Sequence, residues 1–191
     1  DLTINQTQLS PNVRYKVDDF IFNLGSQLSI LDNKNNQDER LMPDAASLSI
    51  GPYVTIDYEG NNFGFNYGMR YDYKNIISED NYSNTDYDNQ FSNTSFSSGI
   101  YFDLVDHILR LSYSGAYRAP HFSELFSEGV HHGTNRYELG NENLNIEFSN
   151  QIDFKYQWSN EHFGIVFNPF LQIISDFISI IPTDSLASNY R

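Results

Sequence analysis

The 191 residues carry 11 lysines and arginines against 25 aspartates and glutamates, for a formal charge of -14, and no cysteine. That balance argues against a phosphate-binding surface and so against nucleic acid as a partner, and without cysteine order must come from packing and strand pairing rather than disulfides. With 14 tyrosines and 15 phenylalanines the chain is not an acidic disordered polymer; it has no run of about 18 apolar residues for a transmembrane helix, although a spanning β-strand needs only about 9–11 residues with every second one apolar.

Period-2 alternation dominates from end to end. After a weaker strand near residues 2–16, Phe20, Phe22, Leu24, Leu28 and Ile30 share one face, with Asn23, Gly25, Gln27 and Ser29 on the other. Leu48, Ile50, Pro52, Val54, Ile56 and Tyr58 then alternate with Ser47, Ser49, Gly51, Tyr53, Thr55 and Asp57, where only Tyr53 is ambiguous. Glu59-Gly60-Asn61 reads as a tight turn into the cleanest segment, in which Phe63, Phe65, Tyr67, Met69, Tyr71 and Tyr73 oppose Asn62, Gly64, Asn66, Gly68, Arg70 and Asp72. Further strands carry Phe96, Ile100, Phe102 and Leu104; Leu109, Leu111, Tyr113 and Tyr117; Ile146, Phe148, Ile152, Phe154, Tyr156 and Trp158; and Phe163, Ile165, Phe167, Leu171 and Ile173. The total is about eight strands.

Short links are expected near Lys16–Asp19, Glu59–Asn61, Val105–His107 and Ser159–Glu161, and long ones at Asp32–Ala46, Lys74–Gln90, Ala119–Asn145 and after Ser175. Strict short–long alternation, with aromatics such as Tyr58, Tyr71, Tyr73, Tyr156 and Trp158 at strand ends, is the pattern of an up-and-down transmembrane β-barrel in outer-membrane lipid. A soluble antiparallel sheet shows the same alternation, but rarely with strands of about 12 residues in every hairpin. The polar face is rich in Gly and Ser and carries Arg70, Asp72, Asp103, Arg110, Asp153 and Lys155. Such a face suits a wide, wet or plugged lumen better than the filled interior of a small closed barrel with a structural or adhesive role.

No sequence pattern of an enzyme is present: there is no Gly-x-Ser-x-Gly, no His-Glu-x-x-His and no phosphate-cradling glycine loop. Asp32–Arg40 superficially suggests a calcium loop, yet Lys34 stands where an acidic or amide ligand belongs and the glycine is missing. Chemistry concentrates in Ala119–Asn145, where His121, Glu124, Glu128, His131, His132 and Glu138 cluster near Arg118 and Arg136. Imidazoles with carboxylates suit a transition metal or haem iron, and His131 and His132 are the metal candidates. The plainer reading of ordinary loop polars outweighs this, because the histidines lack a defined ligand spacing. Arg118 and Arg70, pointing inward at strand ends, suit pairing within the barrel or reception of an anionic chelate.

The run Tyr117-Arg118-Ala119-Pro120, then Glu124-Leu125, then Glu138-Leu139-Gly140-Asn141 and Leu144, with Glu147 opening the next strand, resembles the barrel signature of TonB-dependent outer-membrane receptors. Leu41-Met42-Pro43-Asp44, Gly68-Met69-Arg70-Tyr71-Asp72 and Ile173–Ile181 are similar to receptors of this family from Bacteroidetes-like bacteria. The usual Lys-Pro-Glu is replaced here by Asn145-Ile146-Glu147. The resemblance implies that residues 1–191 are part of the C-terminal half of a barrel of about 22 strands, with the plug domain and the barrel's ends outside them. It further implies a Gram-negative outer-membrane location and no enzymatic activity or cofactor. The expected function is uptake of a scarce nutrient, such as a metal ion, a siderophore-type chelate or haem, bound by the loops and plug and admitted when TonB rearranges the plug. A receptor of the same architecture for glycans or peptides, with a surface lipoprotein as partner, is the alternative.

Overall fold

The computed structural model describes residues 2–35, 43–80, 85–131 and 136–182. Its strands are β1 (Leu2–Leu9), β2 (Asn12–Val17), β3 (Phe20–Asn35), β4 (Asp44–Glu59), β5 (Phe63–Asp80), β6 (Thr85–Leu104) and β7 (His107–Arg118), followed by β8 (Glu128–His131), β9 (Arg136–Leu139), β10 (Glu147–Ser159), β11 (Gly164–Phe167) and β12 (Phe170–Ser175). One short helix, α1 (Phe122–Phe126), lies between β7 and β8. The main sheet is antiparallel in the order β1, β3, β4, β5, β6, β7, β10, β11, with β2 also on β3 and β12 also on β10. Each spanning strand pairs with the next spanning strand, β8 and β9 pairing only with each other, and among the described residues the sheet stays open, so it is an arc of barrel wall and not a small closed barrel.

Prolines account for the split strands at both edges. Leu9 pairs with Leu28 and Asn12 with Gly25 in unbroken register, and the gap falls at Pro11, which has no N–H to donate and instead accepts from Ser26 through its carbonyl at 3.1 Å. Pro169 interrupts the other edge in the same way, its carbonyl taking the Phe154 N–H at 3.0 Å between β11 and β12. These are two spanning strands in four pieces, which agrees with the eight expected.

The strands run into two of the expected long loops, and Lys74–Gln90 is mostly strand. β3 and β4 run to Asn35 and from Asp44, and β5 and β6 pair all the way from Phe63↔Phe102 to Asp80↔Thr85. Polar composition at Lys74–Gln90 suggested a loop, but the ladder satisfies the backbone there and the lumen face supplies Ile76 and Phe91 for burial. A spanning strand needs about 9–11 residues, so 18-residue β5 and 20-residue β6 continue beyond the apolar band.

That band follows the alternation. Leu24, Met69, Ile100, Leu111 and Ile152 stand exposed on one face, an arrangement that only an apolar surrounding makes favourable. On β5 the band ends at Tyr73, on β7 at Tyr117 and on β10 at Phe148. At the short-turn end, rings form a continuous girdle: Phe20–Tyr58 at 5.0 Å, Tyr58–Phe65 at 5.5 Å and Phe63–Phe102 at 5.2 Å.

The other face is polar and internally bonded. Asn23 donates to Thr55 at 2.8 Å, Arg70 pairs with Asp72 at 2.7 Å, and Gln151 donates to both Asp153 oxygens at 2.9 Å. Its small residues have a local reason besides lumen width: the Tyr101 ring lies directly on Gly64, and Tyr53 lies on Gly25, where an added Cβ would stand 2.5 Å from its hydroxyl. That placement also resolves Tyr53 as lumen-facing.

Candidate functional site

The loop between β7 and β10 folds back over the lumen face of the wall. α1 presents Phe122, Leu125 and Phe126 to Ala45 of β4, Ile76 of β5 and Phe91 of β6, all buried, with Leu31, Tyr87, Ala119, Leu144 and Ile146 around them. Ile146 was expected on the lipid side, but it precedes β10 and turns into this cluster instead. Phe126 meets Tyr87 edge-on at 4.6 Å. So short a helix is not stable alone; this packing and its caps hold it. His121 is the N-cap, its Nδ1 accepting from the Ser123 N–H at 3.2 Å, while Glu124 reaches back to the His121 N–H at 2.7 Å, completing a capping box.

Arg118, at the end of β7, joins helix to wall. Its guanidinium donates to both Glu124 oxygens at 3.0 and 2.9 Å and to Glu147 of β10 at 3.1 Å; Glu147 also accepts the Ile178 N–H at 3.1 Å. The electrostatics agree across the three groups. Bonds from Arg118 and the Ile178 amide hold the Glu147 carboxyl below its ordinary range. Burial alone would raise Glu124, but bonds from Arg118 and the His121 amide outweigh it and lower it as well. Arg118 itself is raised, first by Glu124 and then by Glu147.

Behind the helix, Gly140 donates to the Ser127 carbonyl at 2.6 Å and Asn141 to the Glu124 carbonyl at 2.9 Å. A Cβ on Gly140 would stand 2.5 Å from the Leu125 carbonyl oxygen, a backbone atom that side-chain motion cannot clear. Gly140→Ala should therefore destabilise this loop by roughly 1–2 kcal/mol, read as earlier proteolytic cleavage within residues 119–146. The sequence signature thus has a mechanical meaning: Arg118, Glu124 and Glu147 clamp, Pro120 and Leu125 are buried, Gly140 permits close approach, Asn141 shapes the turn and Leu144 packs on the cluster.

Of the residues singled out from sequence, Arg118, His121 and Glu124 come together and bond one another. Glu128, Arg136 and Glu138 lie apart on the β8–β9 hairpin, opposite Leu139, His131 and Gly129. No ion pair links them to the clamp among the described residues, and no group of three or more His, Asp or Glu with metal-binding geometry occurs among those residues. The His131 side chain and His132 lie outside the described residues, as do Leu41 and Met42. Glu147 and Lys74 were missed as site members; inward parity was the signal for both, at the start of β10 and within β5.

Acid should loosen this loop. Burial, then Lys74, lowers the His121 pKa from 6.5, against Glu124 and with Arg118. A group depressed in the folded state stabilises above its unfolded value, so the His121 contribution is complete above 6.5 and is lost as pH falls below it; the depressed carboxylates follow below 4.5. Hydrogen exchange at residues 121–127, corrected for intrinsic rates, should be faster at about pH 5.5 than at about pH 7.5. His121→Asn, which caps without titrating, should reduce that difference.

The sequence profile of the family described as "TonB dependent receptor-like, beta-barrel" matches residues 3–190. Among solved structures, the copper transporter OprC is 16% identical with a TM-score of 0.71, covering 92% of this chain and 31% of its own. The FrpB iron transporter from Neisseria meningitidis (F3-3 variant) is 13% identical with a TM-score of 0.70, covering 96% and 30%. A double mutant of the Serratia marcescens hemophore receptor HasR, in complex with its hemophore HasA and heme, is 13% identical with a TM-score of 0.64, covering 90% and 32%. No curated protein matches the chain. At these identities the structural likeness is one of fold, and the chain spans about a third of the length of each structure. With the profile covering nearly every residue, the chain belongs to the TonB-dependent receptor β-barrel family.

Proposed function

We propose that residues 1–191 form part of the wall of a Gram-negative outer-membrane receptor that takes up a scarce nutrient, of the class of metal ions, metal chelates or haem. The observation that carries this reading is the wall itself: an apolar outward face, a polar lumen face, and a long loop folded back over that lumen at one end. A filled structural barrel has no use for such a face. The fold-level likeness to a copper transporter, an iron transporter and a hemophore receptor supports the nutrient class. In this reading a plug domain of the same full-length chain closes the lumen, TonB supplies the energy, and the protein is a transporter and not an enzyme. The β8–β9 hairpin, with Glu128, Arg136, Glu138 and the adjoining His131 and His132, contributes to nutrient capture at the loop end.

The test is cellular copper, iron and haem content under metal limitation, in strains with and without the full-length receptor and with and without functional TonB. Uptake of at least one of the three should fall in both deletions. Unchanged content of all three would contradict the nutrient class. His131→Ala with His132→Ala should lower metal uptake if those imidazoles take part, and unchanged uptake removes them from the site.

A further inference from the structure

We propose that the lumen-facing cavity beside Lys74 is a carboxylate-binding site. Ser49 of β4, Asp72 and Lys74 of β5, Phe91 and Asn93 of β6 and Arg118 of β7 line a cavity of about 320 Å³ where the wall meets the loop. Ser49 stands directly across from Lys74, and Asp72 from Asn93, so four polar side chains share one small area of the lumen face.

Three cations, Arg70, Lys74 and Arg118, stand with three carboxylates, Asp72, Glu124 and Glu147, and Lys74 is the one among them without a direct ion pair. Asp72 is taken by Arg70 at 2.7 Å, and Arg118 is taken by Glu124 and Glu147 at 2.9 and 3.1 Å. Lys74 has no ion pair among the described residues; its Nζ stands 5.9 Å from the centre of the Phe122 ring. A half-buried ammonium that meets a ring face and feels Glu124 only at longer range, with no direct ion pair among the described residues, is incompletely compensated, and an anion in the cavity offsets that cost. Burial lowers the Lys74 pKa, with Glu124 opposing and Arg118 adding to the effect.

The polar groups specify the kind of anion. Asn93 Oδ1 is buried without a hydrogen-bond partner, and turning that amide brings its NH₂ to the same place. With the Ser49 hydroxyl, and with Asp72 and Arg118 already paired, the cavity offers one ammonium without an ion pair and two neutral donors, which suits a singly charged, two-oxygen carboxylate better than a doubly charged phosphate. The carboxylate comes either from the nutrient or from an acidic side chain of the full-length receptor that enters the lumen. The proposal rests on the transport reading only in taking this face as the lumen.

The experiment uses the purified full-length receptor, so its result is independent of uptake. Acylation of lysines by an activated acetate ester is followed by peptide mass spectrometry with benzoate as probe, benzamide as its uncharged control, and Lys34 as internal reference. In parallel, a carbodiimide joins amines to carboxylates in direct contact. Several-fold protection of Lys74 by benzoate but not by benzamide, reduced in Ser49→Ala, assigns the site to a soluble carboxylate. A crosslink from Lys74 to a carboxylate outside residues 1–191 assigns it to the receptor's own side chain. If Lys74 acylates at the same rate with and without benzoate and forms no such crosslink, the proposal is overturned.

Discussion

Ile100→Arg should destabilise the full-length receptor in lipid vesicles by about 2–4 kcal/mol, whereas Ser97→Arg, three residues away on the same strand, should cost under about 1 kcal/mol. Both positions are on β6 and both are exposed in the isolated wall. They differ in what surrounds them. Ile100 lies opposite Phe65 and Leu111 on the apolar face, within a shallow apolar depression of about 490 Å³ that also includes Tyr67, Tyr113 and Ile152. Ser97 lies opposite Gly68 and Ser114 on the polar face. A guanidinium at Ile100 must be carried into hydrocarbon, while one at Ser97 stays in water. The shift in urea midpoint of the refolded barrel reads the difference directly; equal effects at the two sites would mean that the faces are misassigned.

Arg118→Ala should cost about 2–3 kcal/mol locally. It removes three charge-assisted hydrogen bonds, each worth about 1.5–3 kcal/mol when shielded, and the total is discounted because the Arg118 side chain is 44% exposed. It also leaves the partly exposed Glu124 and Glu147 carboxylates facing each other without their shared cation, so part of the cost is their mutual repulsion. The barrel itself should survive, since the β7–β10 ladder of Glu147↔Arg118 to Trp158↔His107 is backbone-made. The loss should appear as faster hydrogen exchange in residues 119–146 with little change in β3–β5. Arg118→Lys should recover only part of the loss, because a single ammonium lacks the fork that holds two carboxylates at once. Glu147→Gln combined with Arg118→Ala should cost less than the sum of the two single changes.

The wall was legible in the sequence because its two faces meet different solvents, and twelve residues from Asn62 to Tyr73 alternate without exception. The turns were legible too, for Gly60 and Asp18 mark them, the latter at a φ of 49°. What the alternation could not show is where a strand stops mattering to the membrane. Past Tyr73 the lumen face changes from polar to apolar at Ile76 while the outward face turns polar at Asn75, so a template built for the bilayer reads the segment as loop. The reason for that reversal is α1, which covers Ile76 and Phe91 and comes from a later segment of the chain, Phe122–Phe126. Split strands at Pro11 and Pro169 were visible as residues but not as interruptions, since the register continues through them.

The loop shows a second limit. Arg118, His121 and Glu124 read as ligand candidates because charged and imidazole groups near one another suit both capture and construction. In the structure they cap and clamp a five-residue helix. The feature that separates the two roles is the third partner, Glu147, which lies on a different strand and is brought to Arg118 by the β7–β10 register. Lys74 reads as a solvated loop residue in the sequence for the converse reason: its half-buried place beside Phe122, without a direct ion pair among the described residues, is a property of the fold.

The account turns on the wall having one lipid face and one lumen face, and site-directed spin labelling across residues 62–73 tests this most directly. Residues 1–191 contain no cysteine, so single cysteines can be placed here one at a time in the full-length receptor and labelled in vesicles. Collision with oxygen should peak at Phe63, Phe65, Tyr67, Met69 and Tyr71, and collision with a polar nickel chelate at Asn66, Gly68, Arg70 and Asp72, with a period of two. A profile without that period, or one with the two quenchers reversed, would contradict the assignment of this sheet as a transmembrane receptor wall.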